Sequence, residues 1–292
     1  MRCSERGQAF PAAVAELGSL GGTSNHSQRH TTNMTIPLPL SASAPNLSPE
    51  RSGALRYFYS IASVVMLGLV LVGFRHFFFH GQAYPGRPIV PSIRTVIIFH
   101  AIAMSGWLVL SIIQPLLIAT RCRKVHMALG RIGAVLASVI VVLGLVVATK
   151  STAVAILDET YGGLTPKQFM ALAYATALTF GLFVAIGVCY RKRPDIHKPM
   201  MFLATLGVMP AAMDRIDVVR ELYSKTFLYS IWGPFFSTLM IGAVVLIVRC
   251  VLTRSFDRWF AIGLTSLFVV FALTMQVAKT SAWAWFAKLL VH

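Results

Sequence analysis

FHAIAMSGWLVLSIIQPLLIATRCRKVHMALGR, residues Phe99–Arg131, holds one apolar helix, a short basic turn and the opening of a second helix. Within it His100, Trp107 and Gln114 lie seven residues apart. Seven residues is close to two helical turns, so the three form one slowly drifting stripe on a single helix face. Around them stand Ile, Leu, Val, Ala and Met. A helix in lipid turns such a stripe toward other protein or a water-filled cavity. The remaining chain therefore reads as the bundle that this stripe faces: an all-α, polytopic membrane protein of about seven transmembrane helices.

Composition agrees. Of 292 residues, 56% are hydrophobic and only 12% are charged, against roughly 25% charged in a soluble domain. Mean hydropathy is +0.71. The formal charge of +16 does not point to nucleic acid. Residues 1–50 carry three basic and three acidic side chains, so the excess lies at the ends of the apolar segments, where it anchors anionic lipid and sets topology. Those first fifty residues are rich in Ser, Pro, Asn, Thr and Gly, lack a helical period, and are expected to be a disordered tail. They also lack the basic start and continuous apolar core of a secretory signal peptide. Met34 opens a plausible shorter product, which would make residues 1–33 an upstream extension; residues 51–292 form the transmembrane domain.

Seven spans are expected, at Ala54–Phe74, Ile93–Ala119, Met127–Thr149, Phe169–Tyr190, Met200–Ile216, Phe227–Val248 and Phe256–Val277. The fifth is short, contains Pro210 and runs out into Asp214, Arg215 and Asp217. Sixteen Lys and Arg residues fall on the side of the N-terminal tail and ten on the other. By the positive-inside rule the N-terminus is cytoplasmic and the C-terminus outside. Cys122, Cys189 and Cys250 fall at cytoplasmic helix ends, where thiols stay reduced, so no structural disulfide is expected.

Three histidines lie in or at the ends of spans. His126 and His197 each stand just before the first turn of a helix, in VHMALGR and PDIHKPMM, at similar depth. The partial positive charge of a helix N-terminus keeps a nearby imidazole neutral, the form that ligates a metal or haem iron. Both are candidate metal or haem ligands. His100 has no second histidine fourteen residues on, where Gln114 stands; it reads as a polar contact, a proton-relay member or a single ligand. On the opposite side Asp214 and Arg215 follow an apolar run directly, and charges at the hydrocarbon boundary mark a candidate polar site. Asp217 and Arg220 share a helix face and are placed to pair. Gly130, Gly133, Ala134, Ala137 and Ser138 read as a helix-packing face.

His100, Trp107, Gln114-Pro115, the basic turn, His126, Leu129, Gly130 and Arg131 together resemble the first motif of a bacterial multi-pass family known as predicted membrane proteins. RKRPDIHKPMMFLATL with Ala212 and Arg215 resembles its second. That resemblance spans Arg94 to Arg220 and implies a bacterial inner-membrane protein. A looser likeness is to cytochrome b561-type membrane domains, which bind two haems through histidines on four successive helices. His100, Met104, Trp107 and His126 resemble the first half of that pattern, but Phe169–Tyr190 contains no histidine. The likeness therefore implies at most one haem b, held by His126 and His197, with an electron or proton partner at the outer site. Two other readings stay open: a small-solute or ion transporter lined by the His100–Gln114 stripe, and a non-catalytic membrane partner or assembly factor.

Overall fold

A computed structural model describes residues 49–84, 87–155 and 163–291 of the protein. Most of the tail expected to be disordered lies outside these residues, and the first helix already begins at Pro49. The long helices are α1 (Pro49–Gly73), α3 (Pro91–Ala119), α4 (Arg123–Ala153), α5 (Pro166–Cys189), α10 (Phe236–Thr253) and α11 (Arg258–Val277). Between α1 and α3 come a short helix, α2 (Arg75–His80), and an antiparallel ribbon of β1 (Gln82–Tyr84) and β2 (Arg87–Pro88). After α5 follow α6 (Pro194–Gly207), α7 (Pro210–Met213), α8 (Asp217–Ser224) and α9 (Phe227–Trp232); α12 (Ser281–Leu290) closes the chain.

Local sequence sets several of these boundaries. Pro91, Pro166 and Pro194 each take the first helical turn, where a missing N–H costs nothing. Thr165 and Gln168 form a reciprocal capping box on α5. Arg121 and Arg254 adopt left-handed backbone conformations at φ 64° and 52°, turning the chain after α3 and α10.

Among the described residues six segments are long and apolar enough to cross a membrane, and they match six of the seven expected spans. The exception is Met200–Ile216. Pro210 has no N–H to give the carbonyl of Leu206; Met209 N–H takes that carbonyl instead at 3.0 Å, and the helix breaks between α6 and α7. The broken segment still runs through the middle of the bundle. Phe202, Leu203, Ala204, Thr205 and Leu206 are all buried, because α6 packs against α5, α11, α3, α10 and α1. It starts beside the N-terminal part of α1, where Tyr59 meets Phe202, and α7 ends against the opposite end of α1 at Gly73. Ile61, Val65, Val135, Val142, Leu182 and Val269 point outward, as a lipid-facing surface requires.

One consequence concerns Gly73. A Cβ built there would lie 2.3 Å from the carbonyl oxygen of Ala212, a backbone atom that no rotamer change can move. Gly68, one and a half turns earlier in α1, has nothing within 4 Å. Gly73→Ala is expected to destabilise the protein by about 1–3 kcal/mol through overpacking. Gly68→Ala should stabilise it by about 0.5–1 kcal/mol, by relieving the entropy cost of glycine in a helix. Thermal unfolding of the two variants in detergent checks the opposite signs.

Candidate functional site

His126 and His197 come together at the end of the bundle that carries the basic turns. Their ring centroids lie 6.3 Å apart, with planes at 86°. Each is the fourth residue of its helix, not a residue preceding it, and each closes a first turn: His126 N–H donates to Cys122 O at 3.1 Å and His197 N–H to Arg193 O at 2.9 Å. The two short basic turns thus fold alike and deliver their histidines to the same place.

The rings are fixed from the preceding helices. His197 Nδ1 lies 2.7 Å from the carbonyl of Gly187. That carbonyl is among the last four of α5, which lack partners within their own helix; Arg191 N–H bonds Val188 O instead. An acceptor at this position places the proton on Nδ1 and leaves the Nε2 lone pair free. Gly187 also lets α6 approach, since a Cβ there would meet Met201 Sδ at 2.7 Å. His126 Nδ1 lies 3.2 Å from the carbonyl of Gln114 on α3. With its oxygen accepting from Gly130 N–H at 3.0 Å, the Gln114 side-chain amide also donates to the carbonyl and Nδ1 of His126. Gln114 therefore offers His126 both an acceptor and a donor, and clamps the α3–α4 junction.

The other expected site residues separate from this pair. Trp107 is buried, donates from Nε1 to Thr205 Oγ1 at 3.0 Å, and stands edge-on to Phe180, tying α3 to α6 and α5. Arg131 is exposed on α4, outside the cluster. His100 lies near the far end of α4: its Cε1 is 3.6 Å from the Cβ position of Gly144, and its Nδ1 is buried without a hydrogen-bond partner. Gly144 is eighteen residues beyond His126, about 27 Å along the helix at 1.5 Å per residue. Asp214 and Arg215 form a second polar group at that far end, where Arg215 lies over the Phe74 ring at 4.6 Å. Arg220 bonds the Asp214 carbonyl at 3.3 Å and pairs with Asp217 at 2.7 Å, the pairing that their spacing suggests. No hydrogen bond among the described residues joins His100 to Asp214.

Burial pushes the Asp214 carboxyl above its ordinary value of 3.8, with Arg215 and Arg220 pulling the other way, and its Oδ1 is buried without a partner. A carboxyl raised in the folded state stabilises the fold while protonated, and this contribution is lost as pH rises from about 3.8 through the raised folded value. Asp214→Asn should therefore raise the unfolding temperature at neutral pH and flatten its dependence on pH above 4, read by thermal unfolding across a pH series.

Arg249 and Asp257 were not singled out by sequence, yet they form an ion pair with side-chain exposures of 18% and 12%. Asp257 also caps α11 by accepting from Phe260 N–H at 3.1 Å, and the Arg249 guanidinium lies 5.0 Å from the centre of the Tyr59 ring. The pair joins α10, α11 and α1 at the histidine end. Cys189 and Cys250 carry free thiols. Cys122, half-buried at the α3–α4 turn, is disulfide-bonded, contrary to the expectation for it.

Comparison with protein-family models, with curated proteins and with solved structures finds no match.

Proposed function

We propose that this is a haem b-binding redox protein of the bacterial inner membrane, in which His126 and His197 would hold the haem iron. The observation that carries the proposal is their ring separation. A metal–imidazole bond of about 2.0–2.1 Å, plus about 1.1 Å from nitrogen to ring centre, sets each centroid about 3.2 Å from a shared ion. Two imidazoles on opposite sides of one ion would then stand about 6.4 Å apart, close to the 6.3 Å between these centroids.

The donor set favours haem over a bare ion. Two imidazoles are half of a tetrahedral zinc site, whereas two would suffice for a haem iron, whose other ligands come with the group. The carbonyls of Gly187 and Gln114, each within reach of an Nδ1, are the outer partners that orient a ligating histidine and raise its basicity. Arg123, Lys124, Arg191 and Lys192 lie on the same two turns and supply positive charge for haem carboxylates. A haem held there supplies one-electron transfer. The chain's part would be to keep His197 Nδ1 bonded to the Gly187 carbonyl and to set His126 beside it through Gln114. Trp107, 4% exposed and bonded to Thr205, closes the His100–Gln114 stripe midway, which favours this reading over transport along it. By the charge bias, the histidine end faces the cytoplasm.

Titrating haem b into purified haem-free protein in detergent tests the proposal. One equivalent should bind and give the sharp reduced-state bands of a six-coordinate haem. Binding without those bands, or no saturable binding, would contradict it.

A further inference from the structure

A second histidine pair sits outside the site described above. His76 and His80 stand four residues apart on α2, and their ring centroids lie 5.6 Å apart with planes inclined by 32°. Residues four apart on a helix share one face, the spacing by which helices present two imidazoles to one metal ion. With each centre about 3.2 Å from a bound ion, a separation of 5.6 Å corresponds to an angle of about 120° at the metal, near the tetrahedral value. The pair on α4 and α6 has the wider separation of ligands on opposite sides; the pair on α2 has that of adjacent ligands.

The platform beneath the pair is well defined. Gly81, at φ +63°, ends α2 by donating its N–H to the carbonyls of His76 and Phe77, a left-handed cap that glycine adopts without strain. Phe74, Phe77 and Phe78 pack edge-on to one another along α2. Arg75, the nearest cation in sequence, donates back to Val72 O at 3.2 Å. His80 is exposed and His76 half-buried, so both rings lie at the surface of the protein.

We infer that α2 carries a binding site for a late first-row divalent cation, Zn²⁺ by the angle between its ligands. His76 and His80 are its two protein ligands, and water completes the coordination. Imidazole suits such ions, and their relative affinity follows the Irving–Williams order. The site is independent of the haem proposal, since it shares no residue with it and lies at the Gly73 end of α1.

Calorimetric titration of the full-length, untagged protein with Zn²⁺ tests the inference. His26 and His30 are also four apart in the sequence, so the reading is the number of equivalents lost, not the total bound. His80→Ala should lose one equivalent, or weaken it about 10²-fold, the gain expected from a second ligand held in place. Phe78→His combined with His80→Ala keeps the histidine count but puts the imidazoles on different faces; it should behave like His80→Ala. His126→Ala/His197→Ala should leave that equivalent intact. Equal Zn²⁺ binding by the wild type and both α2 variants would overturn the inference.

Discussion

An Asp257→Ala variant is expected to lose about 4–6 kcal/mol of stability, from an uncompensated charge of about 3–5 kcal/mol and a lost helix cap of about 1 kcal/mol. Both effects trace to one carboxylate. Oδ2 pairs with Arg249 and Oδ1 caps α11 through Phe260 N–H. Removing it leaves the Arg249 guanidinium largely buried beside the Tyr59 ring without its counter-charge. For a chain of this size the loss corresponds to a fall of roughly 10 °C in unfolding temperature. The double variant Arg249→Met/Asp257→Ser keeps a capping oxygen and leaves neither charge behind, so it should return to within about 1 kcal/mol of the wild type. Thermal unfolding of the singles and the double in one detergent decides the matter. A single variant that melts with the wild type would show that the pair is already solvated and contributes little.

The second large effect is expected at His197. Its Nδ1–H is held by Gly187 at 2.7 Å, so its Nε2 lone pair is fixed, whereas His126 has both a donor and an acceptor at Nδ1 from Gln114. His197→Ala should weaken haem b retention by at least about 10²-fold, the upper range seen when even an outer partner of a metal ligand is removed. His126→Ala should be comparably damaging. Gln114→Leu removes the competing amide donor while the backbone carbonyl stays, so it should leave the haem bands in place. Haem content per protein after size-exclusion chromatography is the measurement. If His197→Ala keeps its haem, the ligand lies elsewhere.

Much of this arrangement was legible in the sequence because lipid constrains it so strongly. Six spans follow from apolar length alone, and the similar depth of His126 and His197 follows from two short basic turns at one end of the bundle. The sequence could not reveal what orients the rings. Backbone carbonyls of Gln114 and Gly187 carry no side-chain signal, and only the close approach permitted by Gly187 hints at one of them. Pro210 marked the fifth span as irregular, but its break into α6 and α7 depends on Met209 taking the Leu206 carbonyl. Depth alone puts His100 and Asp214 toward one side of the membrane, and depth says nothing of which neighbours a helix face meets. In the sequence Arg249 contributes only to the charge bias, and Asp257 stands out in no pattern. Their pairing across the α10–α11 turn becomes visible once Asp257 is recognised as the cap of the helix beginning RWF.

The central claim is that His126 and His197 act together on one ion, and electron paramagnetic resonance of the oxidised, haem-loaded protein tests it most directly. Two axial imidazoles with planes near the observed 86° predict a low-spin ferric signal with strong anisotropy, converting to high-spin in His197→Ala. A high-spin signal in the wild type, or a low-spin signal unchanged by that substitution, would contradict the account.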